Sequence, residues 1–579
     1  MAEIEPFASF RNSVVLALES TVDSLGYGKI DASRPLETPE ESMGDLAFPC
    51  FALAKQARKA PPVIAGEIAS KITVGGEIAG VEVKGPYVNF RADASKLAKA
   101  TVESINSRKS EYGNLEKVPG KVILEHTSAN PNGPLHVGRA RNPIIGDTLV
   151  RLFRAAGHNV EAQYYLDDIG KQVAILTWGI NNIPPGKIEP AERDKKDHQM
   201  VGFYQTANKM MDEDPAVAAG INELIGKCEV VDPKVMQLVE AAYKPVLEGM
   251  MTSLGRIGVK MDSFIPESDF LKDGTVEKVI EGLSKSNFCG EEGGAKYLEL
   301  SSFGIQGKNT KFFFTRSDGT SLYATRDIAY HTWKLKQADR LVNVLGEDHK
   351  LEARQIAIAL EILGAKTKPE SVFYSFVSLP EGKMSTRRGR VVYLDDLIDE
   401  ATEQAYDAVS QKRPELSEEH RRKIAEVVGL GAIRYNIIRI QPEKPIVFKW
   451  EEALNFEGNS APFIQYSHAR ACSILGKAGA LPLNLDFSGL RLMPAEASLV
   501  KTLAKMPSVV RQGAESRTPH VMATYAYEVA EKFNQFYRDC PVLSADEKTK
   551  SFRLALVDCS RQVLANALNL LGIEAPVEM

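Results

Sequence analysis

The run Lys121-Val122-Ile123-Leu124-Glu125 breaks into His126-Thr127-Ser128-Ala129-Asn130-Pro131-Asn132-Gly133-Pro134-Leu135-His136-Val137-Gly138-Arg139, and residues 138–156 then show helical spacing. A short apolar strand, a turn-rich loop and a helix in that order open a parallel, doubly wound sheet. Ligands of such sheets lie beyond the carboxyl ends of the strands. There the next helix presents free N–H groups and its positive dipole end to an anion. Gly138 lets a flat base or ribose approach the backbone, and His136 can donate to a phosphate whose charge grows during substitution. Alone, a His-x-Gly is better explained as a surface histidine in a proline-rich turn. A second stretch reverses that. Within Glu381-Gly382-Lys383-Met384-Ser385-Thr386-Arg387-Arg388-Gly389-Arg390, four cations fall in the eight positions from Lys383, after a strand expected at 371–377. A basic, glycine-flanked loop suits a pyrophosphate leaving group, because it can close on the charge and release it. The two stretches together describe two clamps on one nucleoside triphosphate.

Outward from the first strand, the pattern alternates. Further strands are expected at 161–166 and 341–345 and a helix at 351–363, with the sheet resuming at Phe312-Phe313-Phe314 beside a hairpin signal, Ser317-Asp318-Gly319-Thr320. Residues 181–255 interrupt this with helical, charge-rich sequence that reads as an insertion. The first 112 residues read as a small α+β unit, with helices at 7–25 and 61–72 and strand-like sequence at 81–90. A polar linker follows at 107–120. After about residue 395 the spacing predicts helix throughout, at 396–412, 417–440, 461–478, 495–512, 518–539 and 551–571. The expected architecture is an α/β multidomain protein. An N-terminal α+β domain (1–112) precedes a Rossmann-type catalytic core (118–395) and an all-α C-terminal domain (396–579).

A chain of 579 residues is too long for one core. No apolar run approaches the roughly 20 residues that cross a bilayer, and the start, MAEIEPFASF, lacks the basic and apolar regions of a secretory signal. The six cysteines are scattered with no C-x-x-C pair, which argues against zinc and a disulfide framework and fits a reducing cytoplasm. The net charge of −5 neither supports nor excludes an RNA partner, since a basic face can be offset elsewhere.

With both clamps in place, the chain resembles the arginine-specific class I aminoacyl-tRNA synthetases over nearly its whole length. The resemblance rests on Ser128 to Asp147 and on four further ordered matches: Tyr165-Leu166-Asp167-Asp168-Ile169-Gly170-Lys171-Gln172, Asp318 to Asp327, Gly346-Glu347-Asp348-His349 and Met384-Ser385-Thr386-Arg387. It implies activation of L-arginine by ATP with Mg²⁺, without zinc, followed by transfer to tRNA(Arg) in a cytoplasmic monomer that binds no membrane. His136, Gly138, Arg139, Lys383, Met384, Ser385 and Arg387 would be catalytic, and His349 would join His136, Gly138, Lys383 and Ser385 on ATP. A guanidinium carries five donors that carboxylates satisfy bidentately. By resemblance Glu267, Tyr323 and Asp327 would hold it, with Tyr323 and Asp327 on one helix face. Ser128 and Asn130 would take the other end of the amino acid, with Asp168, Gln172 and Asp348 as further candidates. For the tRNA, Tyr87 and Asn89 would read a D-loop base, and Phe463, Tyr466, Tyr537 and the terminal Met579 the splayed anticodon.

Three departures qualify the resemblance. Arg139 stands where most class I enzymes have histidine, Thr386 where a second lysine is expected, and Gly133 where some arginyl enzymes place a compensating lysine. Arg139 and at least one of Arg387 and Arg388 are expected to share the phosphate-stabilising role, with His126 a further candidate. The competing readings are a synthetase for another amino acid, a catalytically inactive tRNA-binding paralogue and a nucleotidyltransferase without RNA. Glu267 and Asp327 weigh against the first, because a neutral substrate would leave both carboxylates unpaired.

Overall fold

A computed structural model of the protein describes residues 5–33, 35–40, 42–378, 392–479 and 485–579. The core is one five-stranded parallel sheet: β1 (Lys121–Glu125), β2 (Asn159–Leu166), β3 (Ser263–Pro266), β4 (Arg340–Gly346) and β5 (Glu370–Tyr374). Its spatial order is β5-β4-β1-β2-β3. The chain therefore steps outward from β1 on one side and then on the other, which leaves the crevice of a doubly wound sheet between the exits of β1 and β4. Val122, Ile123 and Leu124 of β1 are all buried, as a strand covered on both faces requires.

The helix after β1 begins later than the spacing suggested. Val137–Arg139 forms a 3-10 turn, and the α-helix runs Arg141–Ala155. The 181–255 insertion contains three helices, Lys196–Glu213, Pro215–Glu229 and Pro233–Arg256. Phe312 and Phe313 are in a strand, but not one of the parallel sheet. Lys311–Phe313 closes a separate antiparallel sheet with Cys289–Glu292 and Ala295–Glu299, whose mixed, half-exposed residues carry little period-2 signal. The strand-like stretch 81–90 is two strands, Ile78–Lys84 and Tyr87–Ala92, folded back at Gly85, whose φ of +58° suits glycine.

Among the described residues after 395, the chain is helical apart from loops and one two-residue strand, Ile446–Val447, paired with Val377–Ser378 just beyond β5. The helix expected at 495–512 is two, Pro494–Ala504 and Met506–Ser516, with Pro507 in the first turn of the second. The 107–120 linker is tied down rather than loose. The Tyr112 hydroxyl donates to the Leu503 carbonyl at 2.9 Å, and Asn566 Nδ2 donates to the Lys109 and Tyr112 carbonyls at 2.9 Å each.

Candidate active site

The chain leaves β1 through two left-handed residues, Thr127 (φ 71°) and Ser128 (φ 41°). For a β-branched threonine this conformation costs about 1–3 kcal/mol and persists only where the surroundings impose it. Asn142, in the first turn of the next helix, imposes it. Its Oδ1 accepts from the Thr127 N–H at 2.6 Å, and its Nδ2 donates to the Val344 carbonyl of β4 at 2.9 Å. One amide thus joins the exits of the two strands that flank the crevice.

His136 caps the 3-10 turn. Its Nδ1 accepts from the Gly138 N–H at 3.0 Å, so a neutral ring carries its proton on Nε2, where it can donate to a ligand. Burial and the neighbouring Arg139 hold this histidine below its ordinary range. A Cβ on Gly138 would lie 3.0 Å from His136 Nδ1, so Gly138→Ala is expected to displace the ring and slow activation with little loss of stability; pyrophosphate exchange beside a thermal melt checks it. Arg139 is exposed and lines the cleft. Residues 392–394 run alongside this motif: Val137 N–H donates to the Val392 carbonyl at 3.0 Å and Leu394 N–H to the Leu135 carbonyl at 2.7 Å. Lys383, Met384, Ser385, Arg387 and Arg388 lie outside the described residues.

The cleft beyond β1, β2 and β4 is lined by Ser128, Arg139, Tyr165, Tyr323, Asp327, Asp348 and His349, among others. Tyr323 and Asp327 do share a helix face, at the start of Tyr323–Gln337. Burial alone would raise the Asp327 carboxyl, but His331, Lys334 and His349 outweigh it and hold Asp327 below the usual carboxylate range. The Tyr165 ring stacks on Tyr330 with centroids 4.3 Å apart, and its buried hydroxyl has no protein partner. His349 Nδ1 lies 3.0 Å from Glu352 Oε2, a hydrogen bond that raises its pKa.

Other expected residues sit differently. Glu267 is fully buried and outside the cleft lining; its Oε1 accepts from Arg326 Nε, and its Oε2 has no partner. Burial pushes its carboxyl upward, with Arg326 opposing. In this conformation Arg326 therefore holds the group expected for a substrate guanidinium. Both Asp168 oxygens accept from Ser268, its N–H at 2.8 Å and its hydroxyl at 2.6 Å, so Asp168 fixes the loop that carries Glu267. Asn130 Nδ2 donates to Gln172 Oε1 at 2.9 Å. His126 is 1% exposed against Gly146, where an added Cβ would lie 2.2 Å from its ring. It closes the core rather than reaching a phosphate, and burial pushes it down to about 4.

Among the described residues, the grouping of donors close enough for a metal is Asp197, His198 and Asp395. The Lys195 ammonium already fills it, at 3.0 Å from Asp197 and 2.7 Å from Asp395. With Ser253 Oγ 3.0 Å from Asp395 and Arg256 bonded to Asp399 at 2.8 Å, this cluster docks the insertion onto the helix Leu394–Lys412.

Two surfaces lie far from the cleft. Phe463, Tyr466, Arg470, Tyr537 and Met579 line one cavity of the helical domain. There the Arg470 guanidinium lies 4.7 Å from the Tyr466 ring and 5.2 Å from the Tyr537 ring, and both rings are largely exposed. Phe463 packs 5.4 Å from Tyr527, and Met579 is 9% exposed with its carbonyl held by Arg413. In the N-terminal unit, Tyr87 is half-buried edge-on to Phe51, centroids 5.8 Å apart. Asn89 is 2% exposed and does not offer its amide to solvent.

Sequence reasoning passed over Asn142, Arg326, Glu125, His331, Lys334 and Asn343. One signal was present: Asp327, His331 and Lys334 fall at i, i+4 and i+7 of one helix.

Three family models match the chain: tRNA synthetases class I (R), catalytic domain, over residues 101–450; the DALR anticodon binding domain over 464–579; and the arginyl tRNA synthetase N terminal domain over 9–92. Curated relatives include the arginine–tRNA ligase of Methanocella arvoryzae, 50% identical over 91% of this chain and 92% of that one. That of Methanothermobacter thermautotrophicus is 44% identical over 98% of each. Among solved structures, Thermus thermophilus arginyl-tRNA synthetase superposes with a TM-score of 0.83 at 28% identity, covering 98% of this chain and 100% of that one. The Plasmodium falciparum arginyl-tRNA synthetase, at 18% identity and a TM-score of 0.80, shows the same fold.

Proposed function

The chain belongs to the class I arginyl-tRNA synthetases, and from that premise we propose how its residues carry the reaction. It is an arginine–tRNA ligase. The arginine carboxylate attacks the α-phosphorus of ATP and expels pyrophosphate, and a terminal ribose hydroxyl of the tRNA then attacks the arginyl-adenylate and releases AMP. The work is positioning and charge stabilisation rather than acid–base chemistry. ATP enters as substrate, and Mg²⁺, when bound with it, would supply neutralisation of the phosphate charge.

The observation that carries the residue assignment is the cleft wall. Asp327 presents a carboxylate held in its charged form beside Tyr323 and the unpartnered Tyr165 hydroxyl, which matches a planar group made only of donors. Asp327 is the primary guanidinium ligand and Tyr323 its neighbour, while Glu267 acts once Arg326 gives way. Ser128 and Asn130 take the α-amino and carboxylate end, with Gln172 orienting Asn130. His136 Nε2–H, Arg139 and His349 face the triphosphate, and Asp348 lies beside them. Lys383, Met384, Ser385 and Arg387 serve the leaving pyrophosphate. Arg139→Ala is expected to slow activation by about 10²-fold, the loss typical of one oxyanion donor; an unchanged exchange rate would remove Arg139 from the phosphate site.

For the tRNA, the Tyr466–Arg470–Tyr537 stack offers aromatic faces and a cation to splayed anticodon bases, beside Phe463 and Met579, and Tyr87 meets the D-loop. Tyr537→Ala is expected to raise the KM for tRNA by about 5- to 100-fold with the arginine KM unmoved; steady-state aminoacylation measures both. The enzyme works as a cytoplasmic monomer, which light scattering on the purified chain tests. No described helix is long and apolar enough to cross a membrane.

ATP–pyrophosphate exchange with each amino acid, with and without tRNA, tests the whole reading. Exchange with arginine alone, and only when tRNA is present, is expected. Exchange without tRNA would remove the tRNA requirement, and exchange with another amino acid would overturn the pocket assignment.

A further inference from the structure

Under the cleft floor lies a chain of buried polar groups that no step above uses. Lys334 is fully buried, and its Nζ donates to Glu125 Oε2 at 2.7 Å and to Asn343 Oδ1 at 3.1 Å. An ammonium has donors and no acceptor. It therefore fixes the Asn343 amide with its oxygen towards Lys334 and its NH₂ turned away. That NH₂ lies 2.7 Å from His331 Nε2, so Nε2 must be the bare nitrogen and the proton of the neutral ring sits on Nδ1. Nδ1 faces Asp327, 2.9 Å from Oδ1 and 2.9 Å from the Asp327 main-chain carbonyl. In the other direction, Glu125 Oε1 accepts from the Ser128 hydroxyl at 3.2 Å, and Ser128 Oγ accepts from the Tyr165 N–H at 3.1 Å. The polarity of each link dictates the next. One buried ammonium thus sets the donors and acceptors at both ends of the amino-acid cleft.

We propose that Lys334, Asn343 and His331 are positioning residues for arginine: they form a directed relay that engages one oxygen of Asp327 and leaves the other aimed at the substrate guanidinium, while Glu125 sets the Ser128 hydroxyl at the opposite end. The relay rests on the reading that Asp327 receives the guanidinium. Glu125, His331, Asn343, Ser128 and Asp327 all line the cleft. The chain runs across three elements, β1, β4 and the helix Tyr323–Gln337, so it also fixes the spacing between the two ends of the substrate. Buried networks of this kind specify one arrangement when every member is satisfied.

The test removes single donors at nearly constant volume. Asn343→Leu removes the donor facing His331 Nε2 and with it the tautomer that aims Nδ1–H at Asp327. His331→Leu removes the donor to Asp327, and His331→Gln restores one. Asp327→Asn reports on the underlying reading. Each full-length variant is assayed by ATP–pyrophosphate exchange with saturating tRNA, and KM is measured separately for arginine and ATP beside a thermal melt. For Asn343→Leu and His331→Leu the arginine KM is expected to rise about 10- to 100-fold, the loss of one hydrogen bond to a charged group. The ATP KM stays within about 2-fold, and His331→Gln recovers most of the loss. If the arginine KM does not move, or if both KM values move together, the relay is overturned; the two His331 variants decide this should Asn343→Leu fail to fold. If Asp327→Asn itself leaves the arginine KM unchanged, the guanidinium assignment fails instead, and the two failures are told apart.

Discussion

Asp327→Asn raises the KM for arginine by about 10²-fold and leaves the KM for ATP nearly unchanged: that is the expected result of the largest single change in the amino-acid cleft. The substitution keeps the shape and removes the charge. Neutralising one member of a desolvated, hydrogen-bonded charge pair costs about 2–5 kcal/mol, and about 3 kcal/mol corresponds to two decades in affinity. The size of the effect depends on burial. Asp327 is held in its charged form by His331, Lys334 and His349, so the free enzyme maintains a negative charge there ready for a cation. The measurement is pyrophosphate exchange over an arginine titration at saturating tRNA. A change below about 3-fold would mean that another carboxylate, with Glu267 the first candidate, takes the guanidinium. Glu267→Gln is then the companion experiment. Its Oε1 is engaged by Arg326 in this structure, so its contribution requires Arg326 to move.

Arg434→Met is expected to lower stability by about 3–5 kcal/mol, the usual result of breaking a buried ion pair by removing one partner. Arg434 is 1% exposed, in the helix Glu418–Ile438. Its Nη2 donates to Asp147 Oδ2 at 2.7 Å, its Nη1 to the Ile257 carbonyl at 2.6 Å and its Nε to the Leu571 carbonyl at 2.7 Å. One side chain therefore ties the helix behind His136 to the end of the insertion and to the end of the last helix. Gly572 is required beside it, since an added Cβ would lie 2.2 Å from Arg434 Nη2. Methionine keeps the volume but leaves two carbonyls without a donor and Asp147 with Arg151 alone, at 2.8 Å. The first thermal transition should fall by about 6 °C or more, and aminoacylation should fall with it. A shift under about 2 °C would mean that apolar packing between these elements, not this charge, holds them together.

The elements of this fold were legible to different degrees. The buried β1 segment, the turn-rich loop and the helix after it follow from local composition, because a parallel strand covered on both faces must be continuously apolar. Phe312-Phe313-Phe314 is apolar too, and nothing local distinguishes a strand of the main sheet from one of the small antiparallel sheet; pairing is a property of what lies alongside. The splitting of 495–512 at Pro507 was readable, since proline belongs in the first turn of a helix and not in its interior. At the site, His136, Gly138, Tyr323 and Asp327 could be singled out because the motifs that hold them resemble those of a known family; the four-residue spacing of Tyr323 and Asp327 added only that a helix puts both on one face. Glu267 could be singled out as a carboxylate, but its capture by Arg326 could not.

The sequence by itself determined the family and the reaction, because those depend on residue types at short spacings that survive any arrangement of the rest. Only the tertiary structure decided which polar groups are free for a substrate and which are already engaged. Asp168, Glu267 and Asp327 are carboxylates of equal standing in the chain, yet Ser268 holds the first, Arg326 the second, and the third alone lines the cleft. The reason is physical: a buried polar group must find a partner or carry a desolvation penalty of several kcal/mol, and that partner comes from wherever the fold brings another strand or helix, hundreds of residues away in sequence and 3 Å away in space.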